Sequence, residues 1–593
     1  MSLILFLAAI PVGGFYFARK GIEELVRERE VGIEILMLVT AFGAMAFGLF
    51  EEAAALVVLY ASAEAVEELT FARTRSAIRE LLDLAPKQAT RLREGREELV
   101  AVEELAPGDL FLVRPGEAIA TDGLIRSGRG ALNEAPVTGE AVPVEKGPGA
   151  EVFAGSVNGP SALEVEATRP FAENTLQRII HLVEEAQEKK SRAQRFVDRF
   201  SERYSPAVLG AALLVAVVPT LLGGEWEEWA LRAITLVVAA APCALVMSIP
   251  VAVAAAISRG GREGILVKGG AQLEALGRIR VVALDKTGTL TAGRPQVTDV
   301  VALDGASERD ALALAAAVEA HSEHPLAAAI VAHAEVERIT FEPAEAFEAL
   351  VGHGARARLD GRELWVGSPR LLAELAPEAT LPPQAEELQA QGKTVAIVGE
   401  DVRPLALIAL RDEPRPEARR AIAALRRLGI QHVAMLSGDN ERTARAIAAE
   451  LGIDEVLAEL RPEDKVEAIE RLRAEHGQVA MVGDGINDAP ALARADLGIA
   501  MGTGGTDAAI EAADVALMAD DLDKVAEALR LGRRAQRISR QNLVFSIALL
   551  ALLIPSALAG LLTVVAAVLV HEVSELLAVA NGVRAARPGP VSA

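Results

Sequence analysis

Four stretches of this chain are too long and too free of charge for the interior of a water-soluble domain. They are residues 35–50 running on to 63, 207–222, 233–257 and 543–570. About 20 apolar residues cross a bilayer, and inside lipid the backbone must satisfy its own hydrogen bonds, so each stretch is confined to helix. The first is long enough for two helices broken near Glu51 and Glu52, and the last for two that turn between Pro555 and Gly560. That arrangement predicts six spans in three pairs. Basic residues flank the spans on one side: Arg73, Arg75 and Arg79 after the second, Lys189, Lys190 and Arg192 before the third, Arg533, Arg534 and Arg537 before the fifth. By the positive-inside rule these flanks, with the large inserts between them, are expected in the cytoplasm.

The rest of the composition is acidic. Hydrophobic residues make up 51% of the chain, yet the formal net charge is −23. An acidic surface offers no basic face for nucleic acid. One cysteine excludes an intramolecular disulfide and any CxxC metal module. The first residues, "MSLILFLAAIPVGGFYF", lack the charged start and small-residue cleavage site of a signal peptide. They are expected to form a membrane helix kinked at Pro11, Gly13 and Gly14.

Two soluble inserts separate the span pairs. Residues 84–200 turn β-like, with runs such as "DLFLVRP" and "ALEVEAT" between Gly/Pro-rich turns, then lead back to the membrane through charged helical sequence. The second insert carries short apolar strands ("VVALD", "HVAML", "QVAMV", "LGIAM", "DVALM") alternating with helical sequence, the signature of a parallel α/β sheet. Residues 297–410 interrupt that sheet. The expected division is 1–83, a kinked helix and two spans; 84–200, a β-rich domain and linker; 201–263, spans three and four; 264–296 and 411–522, the two parts of the α/β domain; 297–410, its insertion; and 523–593, spans five and six.

"DKTGTLT", Asp285 to Thr291, sits where a buried strand ends, the place at which parallel sheets hold ligands. Asp285 there is a candidate nucleophile toward a γ-phosphate. "SGDN" (Ser437, Gly438, Asp439, Asn440), "RPEDKV" (Lys465) and "MVGDGINDAPALA" (Asp484, Asn487, Asp488) follow in order. Phosphoryl transfer is mostly positioning and charge stabilisation, which calls for carboxylate-held Mg²⁺, a lysine and hydroxyl or backbone donors.

In the membrane, Pro242 precedes the lone Cys243, and proline is expected to release the carbonyl of Val238 four residues back. A thiolate beside an opened helix suits a soft or borderline metal ion. "VLVHEVSELL" places His571, Glu572, Ser574 and Glu575 in an apolar helix, with His571, Ser574 and Glu575 on one face. Ionisable groups at membrane depth mark ion pathways.

Together these motifs resemble the heavy-metal-transporting P-type ATPases over almost the whole chain. The resemblance implies an α-helical transmembrane bundle, a β-rich actuator domain, an α/β haloacid dehalogenase-like phosphorylation domain and an inserted α+β nucleotide-binding domain. It implies ATP and Mg²⁺, with Asp285, the Thr287 carbonyl, Asp484 and Asp488 around the Mg²⁺, Lys286 and Lys465 at the phosphorylation site, and Ser437, Gly438 and Asp439 toward the phosphoryl oxygens. Related aspartate phosphatases carry a second aspartate two positions after the nucleophile; position 287 here is threonine. "VTGE" resembles the family's dephosphorylation loop, with Thr138, Gly139 and Glu140, although the preceding "LNEAP" departs from the usual acidic form at Asn133. "HSEHP" and "VGHGAR" resemble the nucleotide site, through Glu323, His324, Gly352 and Gly354.

The family's usual Cys-Pro-Cys is Ala241-Pro242-Cys243 here, and the His-Glu-x-Ser pattern more resembles the cobalt-type branch. Cys243, His571, Glu572 and Ser574 are the expected ligands of a transported divalent ion of the Zn²⁺, Co²⁺, Cd²⁺ or Fe²⁺ class. The implied setting is a prokaryotic plasma membrane, with a soluble metal donor docking near Lys20, Arg27 and Arg29. The rival readings are a membrane-anchored aspartate phosphatase, a metal sensor without turnover, and a monovalent copper pump.

Overall fold

In a computed structural model of the chain, the described residues are 2–28, 32–62, 64–65, 69, 86–93, 96–134, 143–177, 186, 189–303, 307–322, 324–350, 353–375, 381–483, 488–502 and 511–587. The chain divides into two compact units, Met1–Arg278 with Ala528–Ala593, and Ile279–Glu527.

Four helical stretches of the described residues have the length and composition to cross a membrane: Arg192–Leu221, Trp226–Arg262, Asp523–Leu558 and Val564–Ala586, joined by a shorter apolar helix, Ile33–Ala46. Leucines on their outer faces are largely exposed, Leu213 at 65% and Leu214 at 62%. Such apolar surface is matched to lipid rather than water. The inner faces are lined by small residues, among them Ala41, Ala212, Ala216, Ala240, Ala241 and Ala567, which let helix backbones approach closely where lipid supplies no hydrophobic drive. The helices Cys243–Arg262 and Val564–Val583 meet so tightly that a Cβ added at Gly582 would lie 2.9 Å from Val251 Cγ1.

Two details differ from the sequence reading. The first apolar region breaks at Phe47–Leu49 rather than at Glu51 and Glu52, because Gly48 takes a φ of +75° that ends the helix. The carbonyl of Val238 is not released by Pro242: the chain tightens by one residue, and the Ala241 N–H donates to it at 3.1 Å. Lys20, expected on a basic docking face, pairs with Glu34 at 2.6 Å while its side chain stays 55% exposed, and Arg27 pairs with Glu23. Arg29 lies outside the described residues. The N-terminal segment forms one helix, Ser2–Glu23, through Pro11, and Gly13 is the contact point where a Cβ would come within 2.8 Å of Val57.

The β-rich part of this unit follows the alternation read in the sequence. Leu110–Val113 pairs antiparallel with Leu163–Ala167, Phe111 opposite Val165. Its interior is built from Phe111, Ile119, Ile125, Leu132, Leu163 and Val165.

In the second unit, parallel strands run in the order Val515–Leu517, Leu497–Met501, Val479–Gly483, Val281–Asp285, His432–Leu436 and Glu455–Leu457. Val281–Asp285 is central and wholly buried. A strand covered on both faces reads as a continuous apolar run, and this one does. The insertion is a six-stranded antiparallel sheet that begins at Gln296–Ala302 and closes with Arg403–Arg411 beside it. The helices Glu308–Glu319 and Pro325–Val336 share a core with this sheet, through Leu312, Ala316, Ile330 and Val366.

Candidate functional site

Asp285 is the last residue of the central strand, and the chain leaves it through Gly288 at a φ of +74°. That left-handed turn carries the backbone back across the strand end, leaving Lys286 buried and the Thr287 side chain exposed. Lys465, in the first turn of Pro462–His476, reaches the same point. Its Nζ lies 2.6 Å from Asp285 Oδ1 and 2.6 Å from Asp488 Oδ1, and all three side chains are at most 10% exposed. Burial pulls the Lys465 pKa down, but the two carboxylates together outweigh it and hold the ammonium above the usual lysine value. Gly483 makes room for this fold-over: a Cβ there would sit 2.4 Å from Asp488 Oδ2.

On the neighbouring strand end, Ser437 is buried and its Oγ accepts the Asp439 N–H at 3.0 Å. Lys286 donates to Asp439. Ser437, Gly438 and Asp439 therefore stand beside the strand that ends in Asp285, as the motif order implied. Asp484 and Asn487 lie outside the described residues, as do Thr138, Gly139, Glu140, Glu323 and Gly352.

The sequence reading missed the groups that brace the loop. Arg415 donates to the carbonyls of Gly288 at 2.8 Å and Thr289 at 3.0 Å, and to Asp520 at 2.8 Å. Thr291 donates to Asp412. "RDEPRPEARR" contains Asp412 and Arg415, but no local pattern separates them from a solvated charge run.

In the inserted domain, His324 is the N-cap of Pro325–Val336, its Nδ1 accepting the Leu326 N–H at 3.2 Å. An accepting Nδ1 requires the neutral ring protonated on Nε2. Desolvation by the turn holds the His324 pKa below the usual histidine value, in agreement, although the side chain keeps an exposed edge. Glu319, buried beneath the same turn, is pushed up to about 7 by burial, with the Ser322 hydroxyl pulling the other way. Gly354 has a reason in the sheet itself: at a φ of +149°, a Cβ would meet the Val366 carbonyl at 2.2 Å. Its glycine is therefore required by strand packing, without appeal to a ligand.

The membrane helices bring a second set together. Ligand atoms of Cys243, His571 and Glu575, all buried, lie within 4.8 Å of one another. Cys243 begins the helix after the proline break, so its thiol projects from a helix start. His571 is 3% exposed, and neither ring nitrogen has a hydrogen-bond partner among the described residues. An imidazole stranded in this way is costly unless something else takes a lone pair. Of the expected ligands, Ser574 is close but donates its hydroxyl back to the His571 carbonyl at 2.6 Å. Glu572 is buried at 6% exposure yet lies outside the trio. Glu575, which shares the helical face of His571, is the carboxylate that comes within reach of both Cys243 and His571.

Residues 83–184 match the family model of the P-type ATPase actuator domain, and residues 279–496 and 464–529 match models of haloacid dehalogenase-like hydrolases. A "probable cadmium-transporting ATPase" of Staphylococcus aureus is 43% identical over 594 residues, covering 99% of this chain and 82% of that protein. A "probable cation-transporting ATPase G" of Mycobacterium bovis is 49% identical over 586 residues, covering 98% and 74%. The crystal structure of a zinc-transporting PIB-type ATPase in its E2.Pi state superposes at a TM-score of 0.61 with 39% identity, covering 99% of this chain and 95% of that one.

Proposed function

The chain belongs to the P-type ATPase family, and on that premise we propose that it uses ATP to export a divalent transition-metal ion, loaded from solution or from a soluble donor, across a prokaryotic plasma membrane. The observation that carries this reading is the buried trio of Cys243, His571 and Glu575, set between membrane-type helices with an imidazole that has no hydrogen-bond partner among the described residues. One sulfur with one nitrogen and one carboxylate oxygen is a borderline donor set, suited to Zn²⁺, Cd²⁺ or Co²⁺ and poor for two-coordinate Cu⁺. The relatives named for cadmium and zinc transport favour those two ions within the class.

An Asp285 carboxylate oxygen attacks the γ-phosphorus of ATP; the bond to the β,γ-bridging oxygen breaks and ADP leaves. Lys465 neutralises charge at Asp285 and Asp488 and Lys286 fixes Asp439, while the Ser437 hydroxyl would donate to the transferred group. Three carboxylates (Asp285, Asp488 and Asp439) against two ammoniums (Lys465 and Lys286) leave the pocket short of one positive charge, and hard oxygens around it fit Mg²⁺. Asp285, Asp488, the Thr287 carbonyl and Asp484 would hold the Mg²⁺, which would offset charge on the phosphate oxygens. With threonine at 287 the aspartyl phosphate has no acid–base partner of its own, so its hydrolysis awaits Glu140, which positions the attacking water. Alternation between two states of different metal affinity links these steps to export.

The test is ATP hydrolysis by the purified protein across a metal panel. Zn²⁺ or Cd²⁺ should raise the rate at least several-fold over a chelator control, and Cu⁺ under reducing conditions should not. Stimulation by Cu⁺ alone would overturn the divalent reading.

His324 offers a narrower check. His324→Ala should raise the apparent ATP requirement several-fold with little loss at saturation, since it acts at the nucleotide rather than at phosphorus. It also removes a helix cap worth about 1 kcal/mol, which His324→Asn restores. If His324→Asn recovers normal ATP dependence, the residue is a cap and nothing more.

A further inference from the structure

A second set of metal-ligand groups lies on the phosphorylation domain, at the opposite end of its elements from Asp285. His432 opens the strand that ends before Ser437, Glu455 opens the adjacent parallel strand, and His476 ends the helix that begins at Pro462. Lys465 and His476 are separated by about 16 Å along that helix, at 1.5 Å per residue. His432 Nε2 lies 2.8 Å from Glu455 Oε2, and His476 Nε2 lies 4.0 Å from the same oxygen. The two imidazoles stack with centroids 4.2 Å apart and planes 22° apart. One ligand atom from each of the three residues falls within 4.8 Å of the others.

We propose that His432, Glu455 and His476 form a sulfur-free binding site for a borderline divalent ion such as Zn²⁺, separate from the membrane site. Ligand atoms around tetrahedral zinc stand about 3.3 Å apart, given bonds of about 2.0–2.1 Å. The three atoms need only small side-chain rotations to reach that spacing, and His476, at 36% side-chain exposure, is free to make them. The second carboxylate oxygen of Glu455 is already held by Arg471. A ligating carboxylate is oriented by such a partner, and Oε2 is left facing the two rings. Glu475 Oε2, 3.7 Å from His476, adds a negative charge nearby. Nitrogen and oxygen donors without sulfur favour Zn²⁺ over the softer Cd²⁺, the reverse of the bias a thiolate gives to the membrane site.

The experiment uses the full-length protein carrying Cys243→Ala and His571→Ala, so that the transport site is disabled and its failure is not confused with this one. Equilibrium dialysis against Zn²⁺ should leave about one ion bound. Adding His432→Asn or His476→Asn should weaken that binding at least about 10-fold. Substituted Co²⁺ should give ligand-field bands without sulfur-to-metal charge transfer, and these should disappear in either histidine variant. Loss of all tight zinc binding in the starting variant, or retained zinc indifferent to both histidines, would overturn the proposal.

Discussion

Asp285→Asn should abolish acid-stable labelling by γ-labelled ATP and reduce ATP hydrolysis by roughly 10⁴-fold or more. The carboxylate ends the central strand and is pinned by Lys465 at 2.6 Å, so the amide keeps the shape of the site and loses only the nucleophile. The protein should therefore remain folded, with the remaining Lys465–Asp488 pair intact. Glu140→Ala should behave in the opposite way, with label accumulating because only its hydrolysis is impaired. Labelling of Asp285→Asn at the parent level would refute the assignment of the nucleophile. A normal rate of label loss in Glu140→Ala would refute the dephosphorylation role alone.

Cys243→Ala and His571→Ala should each remove divalent-metal stimulation of ATP hydrolysis, shifting the metal requirement at least about 10-fold. Phosphorylation by inorganic phosphate should survive in both, since neither residue belongs to the phosphorylation domain. Glu575→Gln is the more discriminating change. It keeps the size and an oxygen donor but removes the charge, so it should weaken metal stimulation where Ser574→Ala, which loses a hydroxyl turned back to the His571 carbonyl, has the smaller effect. The reverse order would return Ser574 to the ligand set. Full stimulation in Cys243→Ala would mean the metal binds elsewhere.

Much of this protein was legible along the chain, for physical reasons that are themselves local. Charge-free runs of span length, Pro242 beside Cys243, and a buried strand running into Asp285 each depend only on residues a few positions apart. So does the alternation that gave the strands Leu110–Val113 and Leu163–Ala167. Sequence periodicity also put His571, Ser574 and Glu575 on one helical face. It had no means of showing that Glu575 comes within 4.8 Å of Cys243 and His571, because that approach depends on the neighbouring helix that presents Cys243.

The remainder needed groups far apart in sequence to meet. Arg415 reaches the backbone of Gly288 and Thr289 and the side chain of Asp520, contacts that an ordinary "RDEPRPEARR" charge run does not advertise. His432, Glu455 and His476 come from two strands and a helix end, each unremarkable by itself. Even the Val238 carbonyl was decided by how the chain tightened before Pro242 rather than by the proline alone. Residue order alone pointed to apolar runs of span length, to an aspartate at the end of a buried strand and to the family the chain belongs to, because periodicity and turn geometry are short-range. Which carboxylate approaches Cys243 and His571, what braces the loop after Asp285 and which distant side chains gather around Glu455 came only from the folded chain, because parallel crossovers and helix packing choose which distant side chains converge.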